Sequence, residues 1–200
     1  MSKVKWKPGT MVYPLPAVIV SCGSKSSDWN LITIAWTGTV NTNPPMVYIS
    51  VRPSRHSYNI IKETGEFVIN LTNKKMAFAT DWCGVKSGKD FNKFDEMKLT
   101  PCDAEFVACP MIEESPINIE CKVTQTVPLG SHDMFIAEVL RVHADEQFLD
   151  PETGAFDMKK AGLIAYSHGN YYELGDHIGK FGYSVMKKKT KIKKAKKIRK

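Results

Sequence analysis

Two runs in the second half of the chain constrain its fold more than any other feature. Residues 117–127 (INIECKVTQTV) alternate apolar and polar side chains, Pro128-Leu129-Gly130-Ser131 supplies turn residues, and residues 133–143 (DMFIAEVLRVH) run back. A period of two is the mark of a strand with one buried face, so a long antiparallel hairpin is expected. Further strands are predicted at 13–22 (YPLPAVIVSC), 31–38 (LITIAWTG), 46–51 (MVYISV) and 66–71 (EFVINL). A short one falls within 163–174, beside an aromatic Gly-Asn-Tyr-Tyr segment. Asn41-Thr42-Asn43-Pro44-Pro45 must be a turn, because two prolines cannot sit inside a paired strand. Helices are few. One opens at Arg52-Pro53-Ser54, with Ser54 as N-cap and Gly65 as stop, and one over 74–84 is closed by Gly84. A helical turn is expected near Phe91–Glu96. Many strands joined by tight turns point to a mainly β protein, an antiparallel barrel or sandwich with a few short helices.

The net charge of +7 suggests a polyanion partner until it is located. Lys187 to Lys200 holds ten basic residues and no acidic one, which leaves 18 Lys and Arg against 21 Asp and Glu, or −3, for residues 1–186. The body is mildly acidic and only its end is strongly basic. We therefore expect a loose arm over 1–12, one domain over 13–186 and a solvated tail over 187–200. Docking of nucleic acid or an acidic partner by the tail is the lesser alternative. The five cysteines, Cys22, Cys83, Cys102, Cys109 and Cys121, are odd in number and show no C-x-x-C spacing. They read as reduced thiols in a cytoplasmic protein. The early lysines are followed by Pro8-Gly9 and only a short apolar run, so no secretory signal is expected, and no stretch approaches a membrane span.

Asn30 to Ser57 carries the most chemistry: a strand, a diproline turn, a strand and a helix start bearing two arginines. A helix N-terminus offers free N–H groups and partial positive charge. Arg52 and Arg55 add guanidinium forks, and Ser54 and Ser57 add hydroxyls, which together suit a phosphate dianion. An ordinary capped helix with solvated arginines fits the same residues.

The order of motifs favours the phosphate site. N-x-x-T-I-A-W-T-G, N-P-P, a strand, R-P-S-R-H-S and T-G-E-F-V-I-N-L are followed by K-S-G-K-D-F-N-K-F (86–94), S-P-I-N-I-E-C (115–121) and G-N-Y-Y-E-L-G-D-H-I-G-K-F-G (169–182). From about Tyr13 to about Val185 the chain resembles the flavin reductase-like family, and within it the flavoredoxin-type proteins. The resemblance implies an FMN-binding split β-barrel of Greek-key type that dimerises with flavin at or near the interface, with FMN expected in preference to FAD. By carry-over, the strand starting at Asn30 holds the isoalloxazine, which Thr33, Ile34, Ala35 and Trp36 contact largely through backbone groups. Ser50, Val51 and Arg52, with the turn bearing Ser54, Arg55, His56 and Ser57, hold the ribityl chain and phosphate. The loop from Ser87 to Lys93 closes over the site, and His168 lies near the flavin or the dimer partner. The basic tail departs from the family pattern.

The flavin carries the redox chemistry, so no nucleophile or metal is required. The protein's part is to position N5 near a donor and to stabilise charge growing on N1 and O2. The histidines are scattered without metal-site spacing, and no metal is expected. The resulting expectation is a flavin-dependent oxidoreductase taking electrons from NAD(P)H or a redox protein, either a flavoredoxin-like carrier or a flavin or ferric reductase. The alternative is a binding module without turnover.

Overall fold

The computed structural model describes residues 1–186, and the basic run Lys187–Lys200 lies outside them. Residues 1–12 carry no secondary structure. The first half comprises β1 (Leu15–Pro16), β2 (Val18–Cys22), β3 (Asn30–Ile34), β4 (Thr37–Asn41), β5 (Met46–Val51), α1 (His56–Thr64), β6 (Glu66–Leu71), α2 (Ala77–Val85) and α3 (Lys93–Met97). The second comprises β7 (Pro101–Cys102), β8 (Met111–Ile112), β9 (Ile117–Pro128), β10 (Asp133–Ala144), α4 (Met158–Ala161), β11 (Ile164–Ser167) and β12 (Asn170–Glu173). Seven antiparallel strands form one sheet in the order β3-β2-β6-β9-β10-β5-β4. The expected hairpin is its longest pair, with Asp133 opposite Pro128 and Ala144 opposite Ile117.

The sheet curls because consecutive strands lie at its two edges. The expected strand 31–38 is broken: β3 ends at Ile34, the chain bends at Ala35–Trp36, and β4 starts at Thr37 on the far edge. The Trp36 carbonyl accepts the Ser50 N–H at 2.9 Å and ties the bend to β5. The expected strand 13–22 is also divided. Pro14 and Pro16 lack N–H donors and cannot occupy a central strand, so β1 lies at the edge of a small sheet, β1-β11-β12. The chain passes at Ala17 into β2, which pairs with β3 and β6.

Period-two burial sets the core. Val18, Val20 and Cys22 of β2 face inward with Ile32 and Ile34 of β3, Phe67 and Ile69 of β6 and Phe135 of β10, and α1 adds Tyr58 and Ile61. Ile19 and Leu31 face the other way and are covered by Met76, Ala79 and Cys83, at and along α2, and by Phe94 of α3. Both faces of β2 and β3 are therefore largely buried, whereas Lys122–Pro128 of β9 and Arg141–Ala144 of β10 stay largely exposed. The architecture is a mainly β split barrel with a few short helices.

Helix boundaries needed correction. The Arg55 N–H closes a turn on the Arg52 carbonyl at 3.0 Å, so α1 begins at His56, and Arg55 rather than Ser54 is the extended N-cap residue, without a side-chain capping bond. Gly65 ends the helix in the left-handed region, as expected. Gly84 does not close α2 but lies in its last turn. A Cβ there would stand 3.2 Å from the Thr33 Cβ, so the glycine serves close packing of α2 on β3. The turn near Phe91 begins later, at Lys93, where the Asn92 side chain accepts the Phe94 N–H.

Candidate functional site

β3 is an edge strand, so every second residue turns its backbone N–H and C=O away from β2 with no strand partner. A cleft of about 340 Å³ opens along this edge. Ile32, Thr33 and Ile34 of β3 and the bend residues Ala35 and Trp36 form one wall, and Ser50, Val51 and Arg52 continue it from the end of β5. Arg55 enters ahead of α1, while Asp81, Gly84 and Val85 contribute from α2. His132, from the β9–β10 turn, Tyr166, Gly169 and Tyr171, from the β11–β12 hairpin, and Ala17, between β1 and β2, complete the lining.

The aromatic groups are organised around Trp36. His132 lies parallel to it, with 3° between planes and 6.4 Å between centroids, and Tyr166 packs on it at 6.3 Å. Tyr166 in turn meets Tyr171 and Tyr13 edge-on. Neither Arg52 nor Arg55 has a carboxylate within 4 Å among the described residues. Burial first, and then the charges of these two arginines, hold the His132 imidazole below its usual value of 6.5. Positive charge is thus concentrated with no carboxylate in contact with it, and the imidazole beside it is kept neutral at physiological pH. At the α2 wall the Tyr171 phenol donates to Asp81 Oδ1 at 3.2 Å. Burial, followed by the charge and hydrogen bond of Asp81, pushes that phenol up to about 12.

Of the residues carried over from the motifs, Thr33, Ile34, Ala35, Trp36, Ser50, Val51, Arg52 and Arg55 come together here. The others stand elsewhere. Asn30 and Ser57 are both buried, and the Asn30 amide donates to the Ser57 hydroxyl at 2.7 Å. Ser54 and His56 line a smaller outer pocket with Lys89, which meets the cleft only through Arg55. Ser87 Oγ accepts the Lys89 N–H at 3.2 Å. Lys93 is buried, its ammonium donating to the Leu31 and Cys83 carbonyls at 2.7 Å each. His168 forms the β11–β12 turn at φ 48° and packs on Tyr13.

Sequence reasoning missed Ala17, Asp81, Gly84, Val85, His132 and Tyr166 as lining residues. Gly84 could have been found, since a glycine within an otherwise apolar helical run marks a close approach as well as a stop. Nothing local distinguishes His132 from the other histidines. Among the described residues no cluster of His, Cys, Asp and Glu could hold a metal ion, and no helix is long and apolar enough to cross a membrane.

The sequence pattern of the flavin reductase like domain matches residues 10–175. Among solved structures, flavoredoxin of Desulfovibrio vulgaris (Miyazaki F) superposes with a TM-score of 0.86 at 28% identity, covering 92% of this chain and all of that one. Flavoredoxin from Methanosarcina acetivorans gives 0.84 at 29%, covering 93% of this chain and all of its own. Among curated sequences, an NADH:FMN oxidoreductase of Rhodococcus qingshengii is 26% identical over 134 residues, 67% of this chain and 62% of that protein.

Proposed function

The chain belongs to the flavin reductase-like family, and from that premise we propose that it is an electron-transfer flavoprotein that binds FMN in the cleft beside β3. One observation carries the reading: a single cleft joins an unpaired strand edge and an apolar, aromatic wall to two arginines that lack acidic partners. The residues present fit the cofactor. The volume lies within the range of small-ligand pockets, and the exposed edge offers alternating donors and acceptors to a planar ring. Arg52 and Arg55 offer guanidinium groups to a phosphate.

In this proposal Thr33, Ile34, Ala35 and Trp36 orient the isoalloxazine, and Ser50, Val51 and Arg52 follow the ribityl chain. Arg55 neutralises the phosphate, with Ser54 and His56 beside it where the turn meets α1, and Ser57 tying α1 to Asn30. Ser87 and Lys93 fix the loop flanking β3, and Asn30 anchors the start of that strand to α1. His168 supports the hairpin that borders the cleft. FMN supplies one- and two-electron transfer when bound. The protein's work is positioning and water exclusion, with backbone N–H groups placed where negative charge grows on reduction.

Electrons come from NAD(P)H or a redox protein and pass to free flavin, ferric iron or a partner protein. The working unit is a cytoplasmic homodimer, with residues 13–186 as the flavin domain and 1–12 as an arm; the basic run 187–200 lies outside the described residues. The test is spectroscopic. Purified protein loaded with FMN should show flavin absorbance that survives gel filtration and bleaches on anaerobic addition of NADH or NADPH. Bleaching by a reduced redox protein but not by nicotinamides would make it a carrier. Failure to retain flavin would refute the reading.

A further inference from the structure

Asp81 is the one acidic group in a cleft whose other charged groups are cationic. It stands on α2, whereas Arg52 and Arg55 come from the end of β5 and the approach to α1. Its carboxylate accepts the Tyr171 phenol at 3.2 Å and has no Lys, Arg or His within 4 Å among the described residues. The phenol stays protonated well above neutrality, so it remains a donor and fixes the carboxylate instead of competing for its charge. A carboxylate held this way repels phosphate from its own wall. It favours a ligand group that is positive or becomes so.

Among electron donors, a reduced nicotinamide has that property. When the C4–H bond of its dihydropyridine breaks, the hydrogen leaves with the bonding electron pair. The ring nitrogen's lone pair enters the ring, and the dinucleotide, oxidised by two electrons, carries a cationic pyridinium. The bound flavin takes up both electrons and the hydrogen, so no further reactant is needed.

We infer that Asp81, held in place by Tyr171, is a specificity-determining residue for a reduced nicotinamide donor, stabilising the positive charge that its ring acquires as electrons leave. The inference rests on the flavin reading above. A purely structural role, pinning β12 to α2, would make Tyr171→Phe the costlier change, since Asp81→Asn keeps an acceptor oxygen for the phenol whereas Tyr171→Phe removes the donor. The electrostatic role reverses that order, because Tyr171→Phe keeps the carboxylate and Asp81→Asn removes the charge.

The experiment compares FMN-loaded parent, Asp81→Asn, Asp81→Glu and Tyr171→Phe. FMN affinity is titrated first, so that all four proteins are compared at saturating FMN. In anaerobic stopped flow, NADH should reduce Asp81→Asn about tenfold or more slowly than the parent, a scale set by the loss of one preorganised electrostatic group. Tyr171→Phe should lose less, Asp81→Glu should retain most of the rate, and dithionite should reduce all four alike. A second readout needs no turnover: equilibrium dialysis should show NAD⁺ binding weakened by Asp81→Asn more than NADH binding. Three results would overturn the inference: equal NADH rates in Asp81→Asn and parent, a loss in Tyr171→Phe as large as or larger than that in Asp81→Asn, or a flavin-loaded parent that neither NADH nor NADPH reduces. A parent that takes up no FMN would instead bring down the flavin reading itself.

Discussion

Arg55 and Ser57 are two positions apart at one helix start, and both are ordinary anion ligands by type. Arg55 lines the cleft, whereas Ser57 is 1% exposed and is occupied by the Asn30 amide at 2.7 Å. Ser57→Ala leaves that amide a buried donor without its partner, which should cost about 1–3 kcal/mol of stability. Urea denaturation should show the loss, and FMN affinity should not change. A change in FMN affinity with stability intact would make Ser57 a ligand after all. The difference between these neighbours was not legible in the sequence because it depends on a partner 27 residues away. Lys93 repeats the lesson. Within K-S-G-K-D-F-N-K-F the resemblance implies a loop closing over the site, but the Lys93 ammonium is taken up by carbonyls of β3 and α2, one of them 62 residues distant. Residue type was legible throughout, but the direction a side chain faces was fixed by contacts remote in the chain.

Among elements, the strands were legible because a period of two is local, and the hairpin 117–143 appears as β9 and β10. The break between β3 and β4 was not, because LITIAWTG carries no proline or turn cluster and only closure of the sheet demands a bend at Ala35–Trp36. The β9–β10 pair also anchors a loop that no motif announced. Glu120 of β9 is fully buried and accepts the N–H groups of Glu105, Phe106 and Val107 at 3.0, 2.6 and 3.1 Å, while His143 Nε2 lies 2.6 Å away. Burial alone would raise this carboxyl, but His143 and the backbone donors outweigh it and hold it below its ordinary 4.5. A depressed carboxyl contributes stability that is complete above the unfolded value and is lost as pH falls through the folded one. Stability should therefore drop between pH 4.5 and the lower value in the folded protein. Glu120→Gln should be less stable at pH 7 by about 1.5–3 kcal/mol and should lack that part of the acid limb. Urea titrations at pH 7 and below 4.5 check this, and parallel pH profiles for the two proteins would contradict it.

For the whole molecule, charge and exposed apolar surface make separate claims. A chain ending at Met186 changes net charge from +7 to −3. It should keep its melting temperature and FMN affinity, because every residue assigned to the cleft lies within the described body. A fall of many degrees would show that the tail packs on the barrel. Phe78 and Val85 of α2 are 76% and 68% exposed, and Val85 also borders the cleft, so a second subunit covering this rim is expected. Light scattering at micromolar concentration should give a dimer mass, and a monomer with flavin fully bound would contradict it. All of this depends on the cleft being a flavin mononucleotide site with its phosphate at the arginines. The most direct measurement is a fluorescence titration of parent and Arg55→Ala with FMN and with riboflavin, which lacks the phosphate. The account predicts that Arg55→Ala weakens FMN by about 1.5–3 kcal/mol and leaves riboflavin unchanged. Equal affinity of the two proteins for FMN, or equal weakening for both ligands, would contradict it.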